Sequence, residues 1–158
     1  MSFRSSLAAP SSQSGQVGQV ITVQNLALAL PANTNVTVAS AQLSKGVWAV
    51  QASTLFTIPV GTTVLEIWHN IFGGVIVPPA TQAPNQYSRT YSEPLLATVA
   101  AAAAVQQVTQ TAIVTVTEDN FTIQNERRMD YSGGTGVLID VFPNNQYGQG
   151  ALYCVKLA

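Results

Sequence analysis

The sequence predicts an all-β domain, and three of its features support that prediction. The chain has 158 residues, enough for one domain that buries a core without a metal or a disulfide. From Gly18 onward it is rich in Val, Ile, Thr, Leu and Ala, and turn signals of Gly, Pro and Asn recur about every dozen residues. The clearest run, 47–58, keeps a two-residue alternation throughout. This rhythm is typical of a β-sandwich or barrel.

The N-terminal segment differs in composition from the rest of the chain. Residues 1–18 are rich in Ser, Gln, Gly and Ala and have no hydrophobic period. We expect an extended arm over 1–18 that is ordered only by something that binds it, followed by a single β-sandwich domain over 19–158. Phe3 and Arg4 are the candidate partner contacts in this arm.

The first half of the domain contains the strongest strand signals. The predicted strands, each β-rich and bounded by turn residues, are 19–24, 26–30, 36–43, 47–58 and 64–77. Pro and Asn over 31–35 favour a turn, and Lys45-Gly46 makes a tight connection that lets Leu43 and Trp48 face the same interior. Trp48, Val50 and Phe56 are predicted core residues, and Gly73-Gly74 marks a predicted bulge or bend.

The second half begins with a proline-rich stretch. Residues 78–94 contain four prolines and no period, which predicts a long irregular loop. In it, Tyr87, Arg89 and Tyr91 are candidate partner contacts. The alanine-rich stretch 97–107 has high helix propensity, but its β-rich surroundings favour a strand ending near Val99 and then a tight connection.

The remaining strands are predicted at 108–118, 121–125, 137–142 and 150–157, which brings the total to about eight or nine. Residues 125–130 and 132–136 are predicted to form a polar hairpin tip. A solvated tip is the simplest interpretation of the charges in it. The alternative is that Arg127 and Arg128 form salt bridges to other subunits or to a capsid, because the planar guanidinium suits such pairs.

The composition excludes several kinds of partner and favours one. Charged residues make up 8% of the chain, against about 25% in a typical soluble domain, and 6 basic residues face 7 acidic ones. Neither nucleic acid nor an anionic membrane surface is therefore an expected partner. The longest apolar run, 95–105, is shorter than the ~20 residues of a membrane span, and the start lacks the apolar core of a secretory signal. An apolar, nearly uncharged chain favours an oligomer or an assembly component.

No catalytic constellation or cofactor site emerges from the residue types. The only histidine, His69, lies in mid-strand and is expected to be structural, and the only cysteine, Cys154, is expected to be a small packed hydrophobe. Zinc would need several Cys or His ligands, and the acidic residues at 118–120 are interpreted as a turn rather than a calcium site. We therefore expect no enzyme activity, no cofactor and no metal.

One stretch of sequence carries a resemblance to a known group of proteins. Residues 35–58 contain an Asn-Val-Thr strand followed by Leu43, Gly46, Trp48 and Val50 in a Leu-x-x-Gly-x-Trp-x-Val pattern. This pattern, together with a C-terminal strand that holds Tyr153 and Lys156, resembles small virion proteins of tailed bacteriophages.

The resemblance implies a jelly-roll-like antiparallel sandwich, similar in shape to tumour necrosis factor and complement C1q, that associates as trimers. It implies a capsid decoration (cement) or head-fibre protein, made in the host cytoplasm and placed on the capsid surface of the virion, with the major capsid protein as partner. The alternative is a receptor- or carbohydrate-binding module of a phage fibre, in which Tyr87, Arg89 and Tyr91 contact sugars.

Overall fold

The computed structural model describes residues 16–25, 27–75, 85–92, 98–99, 102–140 and 151–158. These residues contain no helix with the length and hydropathy of a membrane span. The ten strands found in them are β1 (Val20–Val23), β2 (Leu28–Leu30), β3 (Val36–Leu43), β4 (Gly46–Ile58), β5 (Thr62–Val75), β6 (Asn85–Ser92), β7 (Ala104–Val116), β8 (Phe121–Gly133), β9 (Val137–Asp140) and β10 (Leu152–Lys156). The predicted strands of the first half are confirmed to within a few residues.

The strands form two antiparallel sheets. The first sheet runs β1-β10-β4-β7, with β9 and β2 continuing alongside one end of β4, and the second sheet runs β3-β8-β5-β6. The chain crosses from sheet to sheet six times, and the two four-strand rows have the order of a jelly roll. The prediction of an all-β, jelly-roll-like antiparallel sandwich is thus confirmed.

Strand β4 organises the first sheet. All thirteen of its residues pair with β7 along one edge. Along its other edge, β10 pairs with residues 48–52 and β9 with residues 55–57. The named pairings therefore stop on either side of Ser53 and Thr54, and between them the Ser53 amide donates to the Ala151 carbonyl at 3.1 Å.

Inward residues of both sheets build the core. Trp48, Phe56, Ile67, Ile123 and Leu152 are all completely buried, and full burial of such side chains stabilises the fold by roughly 1.5–3 kcal/mol each. The predicted core positions are therefore confirmed. The Trp48 indole nitrogen donates to the Ser44 carbonyl at 2.8 Å, so its polar group is satisfied.

Gly46 is required where the chain turns into β4. Its φ is +137°, and a Cβ at this position would lie 2.1 Å from the Ala158 carbonyl oxygen. That oxygen accepts a hydrogen bond from the Val47 amide at 2.7 Å, so the chain end pairs closely with the start of β4. The tight connection predicted at Lys45-Gly46 is confirmed, and Leu43 and Trp48 are both buried.

Two loop predictions are wrong. Residues 125–130 lie inside β8 and not in a hairpin tip, and the turn that follows begins near Gly133. The charges misled the prediction because polar residues occupy inward positions of this strand, where they bond to the opposite sheet. The predicted loop over 78–94 contains β6, an edge strand whose polar residues hide its rhythm. The rest of that loop is outside the described residues.

Other predictions are refined. No bulge appears in the β5–β8 register at Gly73 and Gly74; the irregularities in β5 lie at Val64/Glu66 and at Ile71/Phe72. Near the alanine run, Thr98 bridges to Thr63, and β7 begins at Ala104. Residues 1–15 of the arm are outside the described residues, whereas Gly18 and Gln19 form backbone hydrogen bonds to Lys156.

Candidate functional site

The histidine and the cysteine of the chain are both buried. His69 is 1% exposed, and burial, reinforced by the charge of Arg127, lowers its pKa to about 3, so the imidazole stays neutral near pH 7. Burial raises the pKa of the Cys154 thiol to about 12, which leaves it protonated and poorly nucleophilic. The described residues include no cluster of three or more His, Cys, Asp or Glu that can hold a metal. Residues 118–120 form a turn, in which Asp119 pairs with Lys45 at 3.1 Å.

A polar cluster lies where the named pairings along β4 stop. The Asn125 side-chain amide, on β8 of the second sheet, donates to the carbonyls of Ser53 at 3.1 Å and Ala151 at 2.8 Å. These carbonyls lie where β10 separates from the edge of β4. Asn125 supplies a donor to the Ser53 carbonyl and a second donor to the Ala151 carbonyl, which also accepts from the Ser53 amide at 3.1 Å. This side chain joins the two sheets through the middle of the sandwich.

Arg127 reinforces the same junction. It is completely buried, and its guanidinium donates to Thr54 Oγ1 at 2.9 Å and to the carbonyls of Glu126 at 2.9 Å and Asn70 at 3.2 Å. Burial lowers its pKa to about 9, and the nearby Glu126 carboxylate opposes that shift. Its donors are used inside the chain, and its side chain is not exposed on the surface of the chain, where the predicted partner contact would need it.

The outer face of the first sheet carries no charge on its four main strands. The outward positions of β1, β10, β4 and β7 hold Val, Thr, Tyr, Ala, Gln, Ser, Leu and Ile. Three of its apolar side chains are strongly exposed: Ile113 at 63%, Val105 at 65% and Val20 at 42%. We call this surface the uncharged face. Val20 and Ile113 lie at the two ends of one cross-strand row that also holds Val155 and Ala49, whereas Val105 lies eight residues from Ile113 along β7. An exposed apolar row is typical of a surface that associates with protein or membrane.

A groove of about 350 Å³ crosses the uncharged face. Its floor includes Ala49, and its sides include Tyr153 and Val155 on β10 and Thr111 and Ile113 on β7. The small side chain of Ala49 opposite Ile113 creates the depression, because both pair in the β4–β7 register. The same surface therefore presents a recess and, directly beside it, an exposed apolar side chain.

The outer face of the second sheet has the opposite character. On β5, Trp68, Asn70 and Phe72 point outward, and the register places them opposite Arg128, Glu126 and Gln124 of β8. Trp68 and Phe72 are half-buried, so parts of both rings reach the surface. We call this surface the polar-aromatic face. It combines rings with charged and amide groups, which the uncharged face lacks.

Glu126 and Asn70 form the centre of the polar-aromatic face. A hydrogen bond from the Asn70 side chain reaches the Glu126 carboxylate. Burial nevertheless raises the pKa of Glu126, while the Asn70 bond and the charge of Arg127 act in the opposite direction. Glu126 Oε1 and Asn70 Oδ1 are buried and accept no hydrogen bond from any described residue. Two acceptor oxygens therefore lack donors at this point.

No family model matches the chain, and no curated protein matches it either. The two faces and the resemblance carried by residues 35–58 are therefore the features that bear on function.

The candidate partner contacts are scattered over the molecule. Phe3 and Arg4 lie outside the described residues. Tyr87, Arg89 and Tyr91 lie on β6, at the edge of the second sheet, where Arg89 pairs with Asn70 and Tyr91 with Trp68. The Arg128 side chain is 35% exposed and donates to both Asp130 carboxylate oxygens, at 2.7 and 3.0 Å.

Sequence reasoning missed the residues that define both faces. The alternation identifies Ile113 and Ala49 only as strand residues, and the resemblance names Tyr153 only as an aromatic residue of the last strand. Trp68 and Asn70 are members of an alternating run, and Glu126 is one charge in a predicted hairpin tip. The available signal is the set of outward residues in each alternating strand. On the four main strands of the first sheet these residues carry no charge, whereas the second sheet holds most of the charged residues found in strands.

Proposed function

We propose that this protein is a structural component of a bacteriophage virion, a decoration (cement) protein that binds the head as a homotrimer. The uncharged face is the observation that carries this proposal. Two copies of the chain can pack together through an uncharged surface with exposed apolar side chains, because neither copy then has to bury an unpaired charge. The resemblance of residues 35–58 to small virion proteins supplies the phage assignment.

The geometry supports self-association through the first sheet. Ile113 projects beside a recess floored by Ala49, so neighbouring copies can place the exposed side chain of one against the recess of another. Strand β7 pairs only with β4 among the described residues, and it contains no charge and no proline along Ala104–Val116. Natural proteins rarely leave such an edge uncovered. In a trimer, β7 and the uncharged face lie against neighbouring subunits.

The proposed activity is mechanical. A trimer that bridges major capsid subunits binds only the assembled shell and therefore stabilises that shell by mass action. Interfaces of this kind need about 800 Å² per partner, and a trimer repeats each contact three times. The buried groups His69 and Cys154 have no part in this activity.

The test combines the oligomeric state with the strength of the particle. Light scattering on the purified protein is expected to give three times the 16.6 kDa mass of the chain. Phage particles assembled without the protein are expected to release DNA at a lower temperature than complete particles, and adding the purified protein should restore the difference. A stable monomer that does not bind particles contradicts the proposal.

A further inference from the structure

The described part of the chain begins beside the groove of the uncharged face. Residues 16–19 form a turn, and Gly18 in it has a φ of +84°, as glycine does at the third position of a type II turn. The Gly18 amide donates to the Lys156 carbonyl at 2.8 Å, which fixes the turn to the end of β10. Two residues later, Val20 pairs with Val155, and Val155 lines the groove. The N-terminal arm therefore joins the sandwich close to one wall of the groove.

Exposed apolar side chains surround this junction. Val17, Val20 and Leu157 are all exposed, and each lies one or two residues from the hydrogen bond between the turn and β10. Val20 is also the first member of the cross-strand row that runs along the groove and ends at Ile113. A single exposed apolar side chain is ordinary, whereas a continuous series is typical of a surface that another segment covers. The apolar surface thus extends from the arm to the far side of the groove.

The groove has room for a segment of chain, and the arm contains a suitable one. A volume of about 350 Å³ is in the range of sites that enclose a whole small molecule, so the single Ile113 side chain of a neighbour leaves space in it. Residues 1–15, which are outside the described residues, hold one short apolar run at 7–10, and their only charged side chain is Arg4. The groove walls carry no charge either. Residues 11–15 span about 17 Å when extended, and β1 and β7 lie about 14 Å apart across the sheet, so the run can reach the groove.

The symmetry of a trimer indicates whose groove the arm fills. A three-fold contact is heterologous, so each copy offers one surface to one neighbour and a different surface to the other. The arm joins the first sheet at β1, whereas Ile113 lies on β7 at the opposite end of the cross-strand row. When the β1 side of one copy faces the β7 side of the next, the arm of the first lies beside the groove of the second. An arm that stayed on its own chain would cover the face that the neighbours need.

We propose that residues 7–10 of each copy bind in the groove of the neighbouring copy, so that exchanged N-terminal arms hold the trimer together. This inference rests on the trimer proposed above and names the segment that fills the groove. The apolar side chains of the run cover the exposed apolar row. Gln51, Thr111 and Tyr153 line the same groove, and their side chains can form hydrogen bonds with the amides and carbonyls of the arm.

Disulfide crosslinking of the full-length chain tests which groove the arm occupies. The natural Cys154 is buried, so it does not interfere with introduced thiols. Ala8→Cys is combined with Thr111→Cys in the groove, and the matched control combines Ala8→Cys with Ser40→Cys, at an exposed position of the second sheet. After mild oxidation, a denaturing gel is expected to show covalently linked dimers and trimers for the groove pair and single chains for the control.

Leu7→Asp tests how much the arm contributes to association. A carboxylate in the uncharged groove would be buried without a partner, so we expect the dissociation constant of the trimer to rise at least tenfold in sedimentation equilibrium. Ser12→Asp adds the same charge between the apolar run and the turn; it is the matched control and should associate like wild type. Both substitutions lie outside the described strands, so the circular dichroism is expected to stay unchanged.

Arm exchange is overturned by any of three results: no disulfide forms between positions 8 and 111, the disulfide forms only within single chains, or the Leu7→Asp trimer is as tight as that of wild type. Each of these results leaves the trimer and the decoration function standing. A monomeric wild type that does not associate with particles overturns the decoration function itself, and arm exchange with it.

Discussion

The two outer faces of the sandwich are built by the same alternation and differ almost completely in chemistry. The uncharged face has no charged residue at the outward positions of β1, β10, β4 and β7. The polar-aromatic face holds Glu66, Glu126, Arg128 and Asp130 together with two partly exposed rings. The inward half of each strand specifies the fold, so the outward half is free to carry function, and here the two sheets use it differently.

The chain has few charged residues, and those in strands are distributed unevenly between the two sheets. A chain with 8% charged residues has few to place, and most of those in strands lie in the second sheet. In the first sheet, Lys156 points inward onto the Trp48 ring, 5.8 Å from its centroid, and Asp140 accepts a hydrogen bond from Thr57. One face thus has no charge on its main strands, and the other combines charged groups with aromatic rings.

Both faces depend on the junction between the sheets, so breaking that junction should have the largest effect. Asn125→Ala removes the side-chain donor to the Ser53 carbonyl and one of the two donors to the Ala151 carbonyl, which keeps only the Ser53 amide at 3.1 Å. We expect a loss of about 2–4 kcal/mol in the free energy of unfolding, measured by urea denaturation. Gln124→Ala, which changes the neighbouring outward residue, is the control and should cost less than 1 kcal/mol. Equal losses in the two variants would show that the amide does not join the sheets.

A smaller, pH-dependent effect on the free energy of unfolding is expected from His69, which lies on the inward side of β5. The pKa of His69 is about 3 in the folded chain and about 6.5 in the unfolded chain, so below pH 6.5 the unfolded state binds a proton that the folded state does not. Its contribution to stability is complete above pH 6.5 and decreases as the pH falls toward 3.

Between pH 7 and pH 5, wild type should lose about 2 kcal/mol more in unfolding free energy than His69→Gln. Other titrating groups, including Glu126 with its raised pKa, are present in both proteins and cancel in this difference. The measurement is urea unfolding at the two pH values. The same pH dependence in both proteins would place the imidazole in contact with water.

The smallest effect on the free energy of unfolding is expected from substituting one exposed residue on either face with lysine. Thr111→Lys on β7 and Ser40→Lys on β3 both replace exposed residues, so each should change the free energy of unfolding of one chain by less than about 0.5 kcal/mol. Chemical denaturation at low protein concentration measures this. A large loss in Thr111→Lys alone, under conditions where the protein is monomeric, would mean that the uncharged face is needed for the fold itself.

The sequence predicted the fold well because its inward residues are mostly apolar. Trp48, Val50 and Phe56 show their alternation directly, and Lys45-Gly46 is a turn signal at a position where a Cβ would meet the chain end. Prediction failed at β8, where Asn125 and Arg127 occupy inward positions. Asn125 bonds to the Ser53 and Ala151 carbonyls and Arg127 to Thr54, all partners that only the folded sandwich brings near. It failed at β6 because a polar edge strand resembles a loop.

The faces were harder to predict than the strands. Whether Ile113 is exposed depends on whether β7 has a neighbour beyond β4, which is a property of the topology. The position of Trp68 beside Arg128 and of Asn70 beside Glu126 depends on the register between β5 and β8, whose sequences are about 60 residues apart. No local pattern encodes such a pairing.

The central claim is that the uncharged face is the surface through which copies of this chain associate, and sedimentation equilibrium tests it most directly. Wild type is expected to sediment as a trimer, and Ile113→Lys, which places a charge beside the recess at Ala49, is expected to sediment as a folded monomer with unchanged circular dichroism. Ser40→Lys, on the opposite sheet, should remain a trimer. A monomeric wild type, or an Ile113→Lys protein that stays trimeric, would contradict the account.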